Sequence, residues 1–124
     1  MTERLTRVLV VDDDPMQLDL VQRGLSRDGF EVKSVMALSE VAQAGEVKRF
    51  APDIILLDMN MPDAPDHTIA LARDLMPGAR VVLYSAWEDS KLRVRALQLG
   101  ADGFISKSES VVALGRRLHD LQRR

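Results

Sequence analysis

The chain has 124 residues, 46% of them hydrophobic, and its 17 basic and 19 acidic residues give a net charge of −2. This length suits one domain, so we expect residues 1–124 to fold around a single core. Nucleic-acid-binding proteins usually have more basic than acidic residues, and this chain does not, which argues against direct nucleic-acid binding. The absence of cysteine excludes disulfides and thiolate metal sites. No apolar run reaches the ~18 residues that span a bilayer, so we expect a cytoplasmic protein without a membrane partner.

Short apolar runs alternate with longer segments of helical period, a pattern typical of repeated βα units. The residues between them carry turn and cap signals, because glycine and proline mark most of the boundaries. In chain order we predict a strand at 8–11, a helix at 15–28, a strand at 30–35, a helix at 39–48, a strand at 53–58, a helix at 66–75, a strand at 81–85, a helix at 90–99, a strand at 103–106 and a last helix through 111–121.

The first helix has the clearest local signals. Asp14 is its predicted N-cap, Pro15 its first residue and Gln17 the partner of Asp14 in a capping box, while Gly29 ends it. The strictly alternating residues 30–35 predict a strand at a sheet edge. Because crossovers between parallel strands are right-handed, the whole pattern predicts an α/β fold, a (βα)5 doubly wound parallel five-stranded sheet with strand order 2-1-3-4-5.

Residues able to bind metal or phosphate follow four of the predicted strands: Asp12 and Asp13, Asp58, Ser85, and Lys107. Parallel strands bring their carboxyl ends to one edge of the sheet, so these side chains should converge there. Three carboxylates within a few Å repel by roughly 4 kcal/mol per pair at an effective dielectric near 20, so the cluster requires a cation. Oxygen ligands without histidine or cysteine favour Mg²⁺.

A carboxylate beside such a metal can also act as a nucleophile toward phosphorus and hold the phosphoryl group as an aspartyl phosphate. Asp58 is the predicted phosphoacceptor because it lies between the acidic pair and the remaining two side chains. The Ser85 hydroxyl and the Lys107 ammonium suit the phosphoryl oxygens as donors. Asp14 is interpreted as a helix cap rather than as a ligand.

Four segments, in order and at fitting separations, resemble the receiver domains of two-component response regulators. They carry the first strand with its acidic pair, the phosphoacceptor, the hydroxyl position and the lysine, and they are 8–15, 56–62, 85–86 and 100–107. The resemblance covers nearly the whole chain and implies a flavodoxin-like fold. It also implies that Asp58 accepts a phosphoryl group from the phosphohistidine of a histidine kinase or a histidine phosphotransfer protein.

The resemblance further implies a ligand set and a switch. Mg²⁺ would be bound by the side chains of Asp13 and Asp58 and the backbone carbonyl of Asn60, with Asp12 acting mainly through water. Ser85 and Lys107 would hold the phosphoryl oxygens.

Movement of Ser85 toward the phosphoryl group would be coupled to Phe104, and the output surface would comprise the helix at 90–99, the fifth strand and the last helix. That surface would bind an output domain or target protein, or a second copy in a homodimer. The chain would be a phosphoacceptor regulatory domain and not an enzyme.

Two alternatives remain open at this stage. Asp12 and Asp14 also resemble the nucleophile and acid of haloacid-dehalogenase-type phosphatases, with Ser85 and Lys107 in supporting roles. That interpretation lacks a cap domain and leaves Asp58 without a function. The other alternative is a receiver-like interaction domain that binds its partner independently of phosphate, since Ser108 replaces the proline that usually follows the family's lysine.

Overall fold

The computed structural model describes residues 5–37, 49–59, 65–107 and 111–122. The helix predicted at 39–48 lies outside these residues. Every other predicted element is present, and each of its bounds lies within one residue of the prediction. The elements are β1 (Arg7–Val11), α1 (Pro15–Arg27), β2 (Glu31–Val35), β3 (Ile54–Asp58), α2 (Pro65–Leu75), β4 (Arg80–Ser85), α3 (Asp89–Leu99), β5 (Gly103–Ser106) and α4 (Val111–Gln122).

The five strands form one parallel sheet in the order β2-β1-β3-β4-β5, which confirms the predicted doubly wound, flavodoxin-like topology. One face of the sheet packs on α2 and α3, and the other packs on α1 and α4. β1, β3 and β4 are almost wholly buried, whereas β2 is partly exposed at an edge, as its alternation predicts. Across the described ranges, no helix combines the length and apolar character required to cross a membrane.

Local signals at α1 predict its ends correctly but not its capping box. The Asp14 carboxylate accepts a hydrogen bond from the Met16 N–H at 3.0 Å, and Pro15 is the first helical residue. Gly29, just beyond the helix, has a φ of +90°, a left-handed conformation that glycine adopts without steric cost. The Asp14 N–H donates to Asp12 Oδ1 at 3.0 Å, so the prediction that Gln17 satisfies it is wrong.

At the amino ends of the strands, two aspartate side chains each accept a hydrogen bond from an N–H at the start of a neighbouring strand. Asp53 Oδ2 accepts from the Arg7 N–H at 2.9 Å, and Asp102 Oδ2 accepts from the Val81 N–H at 2.8 Å. The Asp53 N–H in turn donates to the Arg7 carbonyl, and the Asp102 N–H donates to the Val81 carbonyl, at 2.8 Å in both cases. These paired bonds set the register of β3 against β1 and of β5 against β4, and therefore the heights at which their carboxyl ends meet.

We expect Asp102→Ala to lower the free energy of unfolding by about 1–2 kcal/mol, because the Val81 N–H loses its acceptor in a part-buried position. Asp102 also forms a 3.4 Å ion pair with Arg73, whose exposure makes its contribution small. Asp102→Asn is the matched control, since its side-chain oxygen can still accept from Val81. Urea unfolding of both variants tests the assignment, and equal losses in the two would contradict it.

Candidate phosphoryl-transfer site

Three carboxylates converge where the carboxyl ends of β1 and β3 lie side by side. Val11 pairs with Leu57 in the β1–β3 ladder, so Asp12 and Asp13 follow β1 at the same height at which Asp58 ends β3. One carboxylate oxygen from each aspartate lies within 4.8 Å of the others. The strand order therefore brings together the acidic residues that the sequence placed at separate strand ends.

The three carboxylates differ in burial and in partners. Asp12 and Asp58 are only 2% and 5% exposed, whereas Asp13 is exposed. The Lys107 ammonium lies 3.1 Å from Asp58 Oδ1 and donates a hydrogen bond to it, and it lies 3.6 Å from Asp12 Oδ2. One ammonium thus faces two buried carboxylates, which leaves the site with an excess of negative charge.

This arrangement disfavours the charged form of the Asp12 carboxyl group. Burial raises the pKa of its carboxyl above the ordinary value of 3.8; the hydrogen bond from the Asp14 N–H opposes this rise, and the charge of Asp58 adds to it. Its Oδ2 atom is buried and accepts no hydrogen bond from any residue that the structure describes. A buried carboxylate oxygen in this state requires a cation or a donor.

Hydrogen bonds between the ends of β4 and β5 join the backbone segments that carry Ser85 and Lys107. Ser85 is fully buried, and its Oγ accepts from the Trp87 N–H at 3.2 Å. The Lys107 N–H donates to the Ser85 carbonyl at 2.6 Å, and the Ser106 hydroxyl donates to the Trp87 carbonyl at 2.9 Å. The backbone on both sides of the site is therefore tied together, and Ser106 is a contributor that the sequence reasoning missed.

The residues present fit a hard divalent cation. The orphaned Oδ2 of Asp12, the exposed Asp13 carboxylate and Asp58 together form an all-oxygen donor set of the kind that Mg²⁺ prefers. A divalent ion would also offset the charge excess that Lys107 leaves. Asn60, the predicted carbonyl ligand, lies outside the described residues, as does Ser108.

Tyr84 is a second neighbour that the sequence reasoning passed over as part of an apolar strand. It pairs with Asp58 in the β3–β4 ladder, and the Lys107 ammonium lies 5.2 Å from the centroid of its ring. Burial and the charge of Asp12 raise the pKa of the Tyr84 hydroxyl, while a side-chain hydrogen bond with Gln17 opposes this rise. A tyrosine as the last residue before the serine is the only signal that the sequence offered.

Phe104, the predicted switch residue, is half-buried in β5 and contacts the core cluster beneath α2 and α3. The guanidinium of Arg93 on α3 lies 5.9 Å from its ring centroid. A surface hollow of about 590 Å³ surrounds this pair between α3, β5 and α4. This hollow lies within the predicted output surface, and both Phe104 and Arg93 line it.

Comparison with known proteins identifies relatives along most of the chain. A family model described as "Response regulator receiver domain" matches residues 8–119. The transcriptional regulatory protein PrrA of Mycobacterium tuberculosis is 36% identical over 119 residues, which cover 95% of this chain and 50% of that protein. The probable transcriptional regulatory protein NarL of the same organism is 38% identical over 106 residues, covering 84% of this chain and 49% of that protein. The chain thus spans about half the length of these curated relatives.

Solved structures of similar fold include two small proteins that match over nearly their full lengths. A CheY-like response regulator receiver domain protein from Methanospirillum hungatei has a TM-score of 0.76 and 26% identity, with 96% of this chain and 95% of that one covered. The chemotaxis response regulator CheY4 of Vibrio cholerae has a TM-score of 0.78 and 20% identity, with 94% and 98% covered.

Proposed function

This chain belongs to the response regulator receiver family of two-component systems, and from that premise we propose that it accepts a phosphoryl group on Asp58. The observation that carries the proposal is the position of Asp58: a buried carboxylate at the end of β3, 3.1 Å from the Lys107 ammonium and beside two further acids. The donor is a phosphohistidine on a histidine kinase or a histidine phosphotransfer protein. We propose residues 1–124 as a single receiver domain that acts in the cytoplasm.

In the transfer, an Asp58 carboxylate oxygen attacks phosphorus, the bond from phosphorus to the histidine nitrogen breaks, and the leaving imidazole takes a proton. Asp13, Asp58 and the Asn60 carbonyl would hold Mg²⁺, with Asp12 binding through water, and the bound ion would neutralise charge on the transferred group. Lys107 then re-aims its ammonium from the Asp58 carboxylate to a phosphoryl oxygen. Within the protein, only Asp58 changes its covalent bonding in this scheme, which suits a regulatory domain rather than a conventional enzyme.

The switch follows from the position of Ser85. Its Oγ accepts a hydrogen bond from Trp87, which uses a lone pair and leaves the hydroxyl able to donate its proton to a phosphoryl oxygen. Movement of Ser85 toward the group would change the packing between β4 and β5, where Phe104 lies. The face formed by α3, β5 and α4 would then present a different surface to an output domain, a target protein or a second copy.

The phosphatase alternative is not supported. Asp14, the acid that it requires, is exposed and accepts a bond from the Met16 N–H as a helix cap. The phosphatase alternative also gives no role to Asp58, the buried acid that lies nearest to the Lys107 ammonium. The family match favours the receiver interpretation.

The test is intact mass after incubation with phosphoramidate in Mg²⁺ and in EDTA. We expect a gain of one phosphoryl group in Mg²⁺ and none in EDTA, because the charge of the three carboxylates must be neutralised before an anionic donor can approach. Borohydride reduction, which converts an aspartyl phosphate into homoserine, followed by peptide mapping should mark Asp58. A label elsewhere, or equal labelling in EDTA, would contradict the proposal.

A further inference from the structure

The Lys107 ammonium has an aromatic neighbour in addition to its two carboxylates. Its nitrogen lies 5.2 Å from the centroid of the Tyr84 ring, within the ~6 Å over which a ring face attracts a cation. Tyr84 is 3% exposed and the Lys107 side chain 18% exposed, so little water separates or screens the two groups. Desolvation of this kind strengthens the attraction relative to an exposed pair.

We propose that Tyr84 is a positioning residue whose ring holds the Lys107 ammonium beside Asp58. This inference rests on the proposed function, because it concerns the placement of the cation that the phosphoryl group meets. Lysine has a flexible four-carbon stem, and its charge must be held in place by its surroundings. The ring supplies a surface below the ammonium that the two acids alone do not.

A ring suits this position better than a further carboxylate would. Three acids already repel one another here, and a further charge would add to that cost. The attraction of a cation to a ring face varies little with small lateral movements, so the ammonium can turn from Asp58 toward a phosphoryl oxygen without losing it. Tyr84 thus favours both positions of Lys107.

The ring itself is held at both ends. On the backbone side, Tyr84 pairs with Asp58 in the β3–β4 ladder, and its carbonyl accepts from the Met59 N–H at 3.2 Å. On the hydroxyl side it shares a hydrogen bond with Gln17 of α1. The ammonium lies over the ring, whereas Gln17 bonds to the hydroxyl, so the two roles can be separated by mutation.

Tyr84 also belongs to the buried cluster beneath α1 and α4, so a purely structural role must be distinguished. Tyr84→Leu keeps an apolar side chain but removes the ring face, whereas Tyr84→Phe keeps the ring and removes only the hydroxyl. Val82→Ala is the control, because Val82 lies in the same strand and cluster but is not a neighbour of Lys107. All three are compared by labelling with phosphoramidate and Mg²⁺ across donor concentrations.

We expect the maximal labelling rate of Tyr84→Leu to fall about tenfold, with Tyr84→Phe within about threefold of wild type and Val82→Ala unchanged. Independently of any phosphodonor, the ring current of residue 84 should shift the Lys107 ε-methylene protons upfield in wild type and Tyr84→Phe, and the shift should vanish in Tyr84→Leu. If Tyr84→Leu does not fold, phenylalanines with one to three ring fluorines at position 84 replace it, and labelling should slow with each fluorine at nearly constant volume.

Wild-type labelling accompanied by equal rates in Tyr84→Leu and Tyr84→Phe, or across the fluorinated series, overturns this inference and leaves the proposed function intact. Persistence of the upfield Lys107 shift in Tyr84→Leu overturns it as well. If even the wild-type protein gains no phosphoryl group, the proposed function fails, and the NMR shifts alone then report whether the ring positions the ammonium.

Discussion

Asp58→Asn is expected to gain no measurable phosphoryl group in phosphoramidate and Mg²⁺, under conditions in which the wild-type protein is labelled. The amide is nearly the same size as the carboxylate but lacks the anionic oxygen that attacks phosphorus. The substitution also removes a ligand for the cation, so both the nucleophile and part of the metal site are lost together. Intact mass after incubation measures the outcome directly.

The fold should survive this change, because removal of one of three mutually repelling carboxylates relieves repulsion. Asp53→Asn is the matched control: Asp53 immediately precedes β3 at its other end, and an asparagine oxygen can still accept from the Arg7 N–H. It should be labelled like wild type. Undiminished labelling of Asp58→Asn, together with loss of labelling in Asp12→Asn, would instead support the phosphatase alternative with Asp12 as nucleophile.

The convergence of Asp12, Asp13 and Asp58 could be predicted from sequence because all three lie at the carboxyl end of an apolar run. Once the runs are parallel strands in a known order, their ends must meet at one edge of the sheet. Lys107 could be placed by the same rule, and its ion pairs with Asp12 and Asp58 are those that the rule implies. The local signals at Asp14 and Gly29 depend on neighbouring residues only.

Contacts could not be predicted in this way where a polar group has more than one available partner, or where its partner lies far along the chain. The predicted capping box is wrong because the Asp14 N–H donates to Asp12, two residues earlier, while Gln17 forms a hydrogen bond with Tyr84 of β4. Tyr84 and Asp102 lie far in sequence from the groups they contact, and their residue types are ordinary at those positions. The roles of Ser85 and Phe104 in switching remain predictions, because they concern a phosphorylated state.

Removal of the buried Asp12 charge should stabilise the metal-free protein and weaken its binding of metal. We expect Asp12→Asn to raise the free energy of unfolding of the metal-free protein at pH 7 by about 1 kcal/mol. The substitution ends the burial of an ionised oxygen that lacks a hydrogen bond, as well as its repulsion with Asp58. It also removes a 3.6 Å ion pair with Lys107, but Lys107 keeps its closer partner Asp58 at 3.1 Å, so the relief outweighs the loss.

The raised pKa of Asp12 determines how the stability difference between the two proteins depends on pH. Because the pKa of Asp12 is raised in the folded state, that state binds the proton more tightly than the unfolded chain does, and stability falls as pH rises from 3.8 through the raised pKa. Asp12→Asn has no such group, so its advantage should be absent below pH 3.8, grow across that window and stay constant above it. Urea unfolding in EDTA at a series of pH values measures this, with the exposed Asp19→Asn as control.

Mg²⁺ should reverse the order of the two proteins. Loss of a group that orients bound water typically weakens metal binding about 10- to 100-fold, so a Mg²⁺ concentration that stabilises the wild type should leave Asp12→Asn nearly unchanged. Trp87, the chain's one tryptophan, has backbone bonds to Ser85 and Ser106 and can report the titration by fluorescence. A variant less stable than wild type in EDTA at pH 7, or one that binds Mg²⁺ equally well, would contradict the view that the cost of burying Asp12 is met by a cation.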